Sequence, residues 1–176
     1  MKLPDHWLSP RDWLRRLPSL LLQLLLLLGL VWGAEWVLTR DAATGPAPLF
    51  SATTVEGERF ALADLQGEPA LLHFWASWCP ICRFEQGSIA WLAKQGGVMS
   101  IAMESGDRHA VATYLAEQQI TLPTVVDERG EIARSYGVRG VPASFILNPT
   151  GEVVFVTRGY TTALGLTLRL WLARWL

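Results

Sequence analysis

The chain has 176 residues, 51% of them hydrophobic, with a formal net charge of −1 and two cysteines. That length holds one domain with a sizeable core plus an appendage. The near-neutral charge excludes the basic field a nucleic-acid binder needs, and two cysteines cannot make the dispersed framework of a disulfide-stapled scaffold.

Residues 1–16 carry Lys2, Arg11, Arg15 and Arg16 against Asp5 and Asp12, a net +2. Residues 17–38 then run almost unbroken in leucine and other apolar types, with Gln23 in the middle and Glu35 near the end. A spanning helix needs about 20 such residues. Trp32 and Trp36 sit where an interfacial aromatic belt belongs, and the cationic flank precedes the span. The pattern predicts a cytoplasmic N-terminal segment (1–16), a single transmembrane signal-anchor (17–38) and export of everything after it. The expected place is a bacterial inner membrane with the following domain on its periplasmic side. A cleaved signal peptide is the competing reading, but its sites are poor: cleavage after Ala34 or Ala43 puts Trp32 or Asp41 at the −3 position. A core helix fits less well, because leucine all round suits lipid better than one face of a domain. Either way the cysteines reach a compartment where disulfides persist.

Residues 39–48 have linker composition, and the domain is expected over 49–176. Short strands are predicted at 50–55 and 60–65 around a Glu56-Gly57-Glu58 turn. The bounded apolar run 70–76 reads as a buried central strand, followed by a helix over 80–94 ended by Gly96-Gly97. A second buried strand (98–103), a helix (108–118) with Asp107 as N-cap, an extended segment (122–126) and a short helix (131–136) come next. Segments 143–147 and 153–157 flank Asn148-Pro149-Thr150-Gly151, a hairpin by its turn chemistry. A closing helix is expected over 161–176. Alternating strands and helices ending in an antiparallel hairpin imply a central mixed sheet flanked by helices, an α/β domain.

The string His73-Phe74-Trp75-Ala76-Ser77-Trp78-Cys79-Pro80-Ile81-Cys82-Arg83-Phe84-Glu85 joins a buried strand to a helix that opens on a Cys-x-x-Cys pair. Cys79 at the helix N-terminus faces unpaired N–H groups and the positive end of the dipole, which stabilise a thiolate. Cys82 lies nearly one turn on, within reach of a mixed disulfide formed at Cys79. Pro80 suits the first helical turn, where its missing N–H is not needed. A zinc half-site would need two further ligands, and His73 and His109 are isolated. An inert structural disulfide across so short a loop would restrict the unfolded chain little. Redox exchange is the reading the pair supports best, with no cofactor beyond the Cys79–Cys82 disulfide itself and no metal.

Trp75 to Cys82, together with Gly140-Val141-Pro142-Ala143-Ser144-Phe145, resembles the TlpA-type membrane-anchored thioredoxin-like proteins. These include the cytochrome c maturation reductases and the oxidoreductases of copper-sensitivity suppression. The resemblance covers about residues 45–176 and implies a thioredoxin-like fold and thiol–disulfide exchange, in the reducing direction, with protein clients. It implies that Pro142 is the cis-proline beside the pair, and that Val141 pairs with an extended client as an added strand. It places an acid at Glu85, one turn after Cys82, to exchange a proton with that thiol or raise its pKa; a solvated helix charge is the plainer alternative. Trp78, Pro80 and Ile81 would border the client site, and Trp75 and Trp78 either wall it or pack in the core. His73 stands where thioredoxins have a buried aspartate, so it is either a proton relay for Cys82 or a neutral, hydrogen-bonded structural group. Gly87 replaces the proline many relatives carry in this helix. A reductase in an oxidising compartment implies a membrane thiol-electron transporter as its own reductant.

The same residues admit two rival readings. A copper-handling metallochaperone would use the same thiols, although Met99 and Met103 alternate as strand residues do. A thiol peroxidase would want a lone reactive cysteine, which the sequence lacks.

Overall fold

A computed structural model describes residues 18–30, residue 33 and residues 42–176. The chain divides into two compact units, Met1–Asp41 and Ala42–Leu176. In the first, residues 18–30 are helical with exposed side chains. Among the described residues no helix is long and apolar enough to cross a membrane. The expected cytoplasmic segment, and residues 17, 31–32 and 34–38 of the expected span, lie outside the described residues.

The second unit is built on a six-stranded sheet of order β1-β8-β7-β4-β5-β6. Its strands are β1 (Gly45–Pro46), β4 (Ala70–Trp75), β5 (Val98–Met103), β6 (Thr124–Asp127), β7 (Ala143–Leu147) and β8 (Glu152–Arg158). A separate ribbon pairs β2 (Ser51–Thr53) with β3 (Arg59–Ala61), and a 3-10 turn follows at Leu62–Leu65. The helices are α1 (Pro80–Ala93), α2 (Arg108–Glu117), α3 (Glu131–Ser135) and α4 (Ala163–Ala173). Strands β4, β5 and β6 run parallel, while β7, β8 and β1 add antiparallel on the other side. This is the mixed sheet that the element order implied, in the thioredoxin-like arrangement that the resemblance implied.

β4 is buried along its whole length because it lies between β5 and β7 with both faces covered. Side chains alternate across a strand, so Leu72 and Phe74 enter one core with Ile101, Val125, Phe145 and Tyr136. Leu71 points the other way, into a core with Ile89 and Leu92 of α1 and Leu166 and Ala173 of α4. His73 and Trp75 share the parity of Leu71 and face the same side. That alternation is what brings His73 under α1.

The folded unit starts earlier than expected. Residues 42–48, read as linker, belong to it: Ala42 and Ala47 are buried, and Gly45–Pro46 pairs with the edge of β8. The Ala43 N–H donates to Tyr136 O, and the Tyr136 hydroxyl donates to Pro48 O at 3.0 Å. A linker-like composition was satisfied by a neighbouring edge that sequence does not display.

Helix ends follow side-chain capping. Asp107 accepts from the Ala110 N–H at 2.8 Å, as expected. Asp127 at the end of β6 accepts from Ile132 and Ala133, which tethers α3. Thr162 caps α4 by accepting from the Gly165 N–H at 3.2 Å. Removing such a cap costs about 1 kcal/mol, so Thr162→Ala is expected to lower unfolding free energy by that amount in a urea titration with the slope unchanged.

Candidate active site

β4 ends at Trp75, the chain turns through residues 76–78, and α1 starts at Pro80 with Cys79 as its N-cap. The Cys79 backbone is extended, with φ −87° and ψ 111°, and its sulfur accepts the Cys82 N–H at 3.2 Å. This donor is one of those left unpaired at a helix start, so thiolate at Cys79 gains a hydrogen bond as well as the helix dipole. Cys79 and Cys82 form a disulfide, with their Cα atoms 5.4 Å apart. Both are buried, Cys82 completely. Their packing partners are Trp75, Ala76, Ala102, Val111 and Leu115, with Val141 against the cluster.

The Val141–Pro142 peptide bond is cis. The loop it forms places Val141 O 3.5 Å from Cys79 Sγ. Around the pair lies an exposed rim: Trp78 is 57% exposed and Ile81 49%, and Pro80 is also open. Trp78 is held in place by donating from Nε1 to Glu104 O at 3.1 Å. Trp75 is fully buried and stacks near Tyr114, with ring centroids 5.3 Å apart. Of the two alternatives for these tryptophans, Trp75 is core and Trp78 borders the site.

Behind the cysteines sits a buried polar pair. Glu85, one turn beyond Cys82 on α1, is 1% exposed. It is not the solvated charge that the plainer reading assumed. Its Oε2 accepts the Thr161 N–H at 3.0 Å, and its Oε1 lies 3.5 Å from Nε2 of His73. His73 is completely buried, and its Nδ1 shares a 3.0 Å hydrogen bond with Ser144 Oγ. Burial pushes the Glu85 carboxyl up to about 7, against the opposing pull of the Thr161 N–H. Burial lowers His73 to about 3, so its ring is neutral at physiological pH. At neutral pH the pair therefore carries one titrating proton, on or near Glu85.

His73 belongs to a row the sequence did not reveal. Ser144 of β7, His73 of β4, Ser100 of β5 and Thr124 of β6 stand directly opposite one another across the sheet. Thr157 of β8 extends the row opposite Ser144. The Thr124 hydroxyl donates to Leu122 O at 2.7 Å and pairs with Ser100 Oγ at 2.8 Å, which accepts from Trp75 Nε1 at 3.1 Å. His73, Ser100 and Ser144 are each the one polar residue of an otherwise apolar strand, a signal by which they could have been found. Thr124 and Thr157 share their strands with charged residues and carried no such signal. Ser105 was also missed. Its hydroxyl accepts the Ser77 N–H and donates to Met103 O, which fixes the turn before Cys79.

A dithiol–disulfide pair at the start of a helix, beside a cis-proline loop and at the end of a central parallel strand, defines a thioredoxin-like thiol–disulfide oxidoreductase. The model of the AhpC/TSA family matches residues 43–156, and the chain belongs to that family. It is similar to a thioredoxin-like protein of Haemophilus influenzae, 37% identical over 121 residues, 68% of this chain and 72% of the relative. It is also similar to the thiol-disulfide oxidoreductase ResA of Bacillus thuringiensis, 32% identical over 120 residues, 66% of this chain and 69% of the relative. Among solved structures, a thioredoxin-family thiol:disulfide interchange protein from Chlorobium tepidum superposes with a TM-score of 0.65 at 29% identity, over 76% of this chain and 98% of its own. Enzymatic thiol–disulfide exchange through Cys79 and Cys82 follows from fold, site and relatives together.

Proposed function

We propose that this protein reduces disulfides of client proteins on the periplasmic side of a bacterial inner membrane, held there by residues 17–38 and recharged by a membrane thiol-electron transporter. The observation that carries the direction is Glu85, a buried carboxyl one turn beyond the buried Cys82. Whenever Glu85 is ionised its charge opposes a thiolate at Cys82, and when it is protonated it offers that sulfur no positive charge, so in neither state does it favour a second thiolate. A pair whose second sulfur gains no stabilisation as a thiolate gives up its electrons more readily than one in which both sulfurs do.

The Cys79 thiolate attacks one sulfur of a client disulfide. A bond forms between Cys79 and that sulfur, and the other client sulfur leaves as a thiolate and takes a proton from water. Cys82 then loses its proton to the Glu85 carboxylate, and His73, anchored by Ser144, keeps that carboxyl in place. The Cys82 thiolate attacks Cys79 Sγ, which closes the Cys79–Cys82 disulfide and releases the second client sulfur. Two electrons have passed from the pair to the client. Trp78, Pro80 and Ile81 receive the client's apolar side chains, and the Val141 backbone before Pro142 pairs with its extended strand.

The reduction potential of the Cys79/Cys82 pair in residues 42–176 tests the direction. Equilibrated with defined dithiol buffers, it is expected near or below about −220 mV. A value near about −120 mV would make the protein a disulfide donor and overturn the reductase reading. No observation favours the copper-handling alternative: Met99 is buried in β5, and among the described residues no three His, Cys, Asp or Glu side chains form a metal-holding group.

A further inference from the structure

α4 is apolar on both sides. Leu166 and Ala173 are buried against the sheet and α1, and Leu170 packs beside them. On the opposite side Leu164 is 79% exposed, Leu168 55%, Trp171 59% and Trp175, just past the helix end, 74%. At 3.6 residues per turn these four fall within about 60° of one another, so they form one straight stripe. Leu172 and Leu176 widen it on one flank. A soluble domain does not ordinarily leave two tryptophans and several leucines in line on a helix, and such a stripe marks a contact surface.

The charges select the occupant. From Val153 to the C-terminus the chain carries Arg158, Arg169 and Arg174 and no acidic side chain. Arg169 and Arg174 flank the stripe on its two sides. Arg169 also donates to Gly165 O, and Arg174 donates to Glu68 at 2.7 Å in a pair that is exposed at both ends. Long cationic side chains beside an apolar stripe that carries tryptophan are the composition of a helix lying in a membrane interface. The tryptophan rings sit at headgroup depth, and the guanidinium groups meet lipid phosphates. A second copy of the chain would instead set two arginine-flanked stripes against each other, with Glu68 already engaged by Arg174, whereas anionic lipid itself brings the negative charge.

We infer that α4 is a membrane-surface helix, by which the oxidoreductase domain rests its Leu164–Leu168–Trp171–Trp175 stripe on anionic lipid. The inference does not rest on residues 17–38 spanning a bilayer. It concerns the Ala42–Leu176 unit, which has its own cores. The solved Chlorobium tepidum chain, 98% of which is matched by 76% of this one, has a similar extent. α4 starts two residues after Thr161, whose N–H holds Glu85. A seated α4 would therefore keep the active-site end of the domain close to the lipid surface.

The test is co-sedimentation of residues 42–176 with extruded vesicles, either phosphatidylglycerol with phosphatidylethanolamine or phosphatidylcholine alone. Binding to the anionic vesicles is expected, weaker at high salt and on phosphatidylcholine. The double variant Trp171→Ser/Trp175→Ser should bind about tenfold or more weakly. Its rate of insulin disulfide reduction and its urea midpoint should match the parent, because both side chains are exposed and away from the cysteines. Absence of vesicle binding by the parent at low salt would overturn the inference, as would equal binding by the double variant. A concentration-dependent dimer in sedimentation velocity that the same two substitutions dissolve would also overturn it, since the stripe would then be a self-association surface.

Discussion

Cys79→Ser is expected to lose disulfide reduction to background, about a thousandfold or more, because the nucleophile that opens the client bond is gone. Cys82→Ser should behave differently. It keeps Cys79 at the N-terminus of α1, so the first attack proceeds and the reaction halts at a mixed disulfide with the client. Cys79 keeps a small exposure of 4% while Cys82 is completely buried, which leaves an approaching client able to reach only the first. Mass spectrometry of each variant after incubation with an oxidised client, under non-reducing conditions, reads the difference directly. A covalent adduct is expected on Cys82→Ser and none on Cys79→Ser. Adducts on both, or turnover by Cys79→Ser, would mean that Cys82 can open a client disulfide, against the burial and the helix-start geometry. Pro80 and Ile81 between the cysteines carry no charge, so the asymmetry comes from position alone.

The parts of this site that were legible in the sequence are those encoded within a few residues. The run of apolar residues into Trp75, the Cys-x-x-Cys and Pro80 at the first helical position specify strand, turn and helix start locally. Glu85 follows at one-turn spacing, so its place on α1 needed no tertiary information. Pro142 was placed by its resemblance to a known motif, and the structure puts its cis bond beside Cys79. What escaped depends on strand register. Ser144 is 71 residues from His73, and Thr161 is 76 from Glu85. No periodicity in either segment announces such contacts. The ambiguity over the tryptophans had the same origin. Trp75 is the last residue of a fully covered strand and Trp78 lies beyond it, so one was bound to be core and the other free, but only the neighbouring strands show where coverage stops. The start of the domain was misplaced because Gly45–Pro46 becomes a strand only by pairing with β8.

The choice between relay and structural roles for His73 turns on where protons sit in the His73–Glu85 pair, and stability against pH exposes it. In the unfolded chain His73 titrates near 6.5, and in the fold near 3. Glu85 titrates near 4.5 unfolded and near 7 folded. Between pH 4.5 and 6.5 each state therefore holds one proton on the two groups, on His73 when unfolded and on Glu85 when folded. Stability changes with pH only where the two states bind different numbers of protons. The pair's contribution is thus level across this window although both groups are strongly perturbed. Each variant removes one side of that balance. For Glu85→Gln the lowered His73 remains, and the unfolded state binds the extra proton. The variant's stability relative to the parent should rise by about 2 kcal/mol from pH 4.5 to 7 after allowing for solvent screening. For His73→Asn the raised Glu85 remains, the folded state binds the extra proton, and relative stability should fall as pH rises from 3 to 6.5. Other carboxylates cancel in each difference. Urea titrations of the three proteins across this range measure both slopes, and curves that run parallel to the parent would show that the pair does not share a proton in this way. The same arrangement gives the exchange reaction its pH dependence. Glu85 can accept the Cys82 proton only as a carboxylate, so release of the client should quicken as pH rises through about 7. That step should lose its inflection in Glu85→Gln and keep it, displaced, in His73→Asn. A histidine that only filled space beneath α1 would leave the inflection where it was.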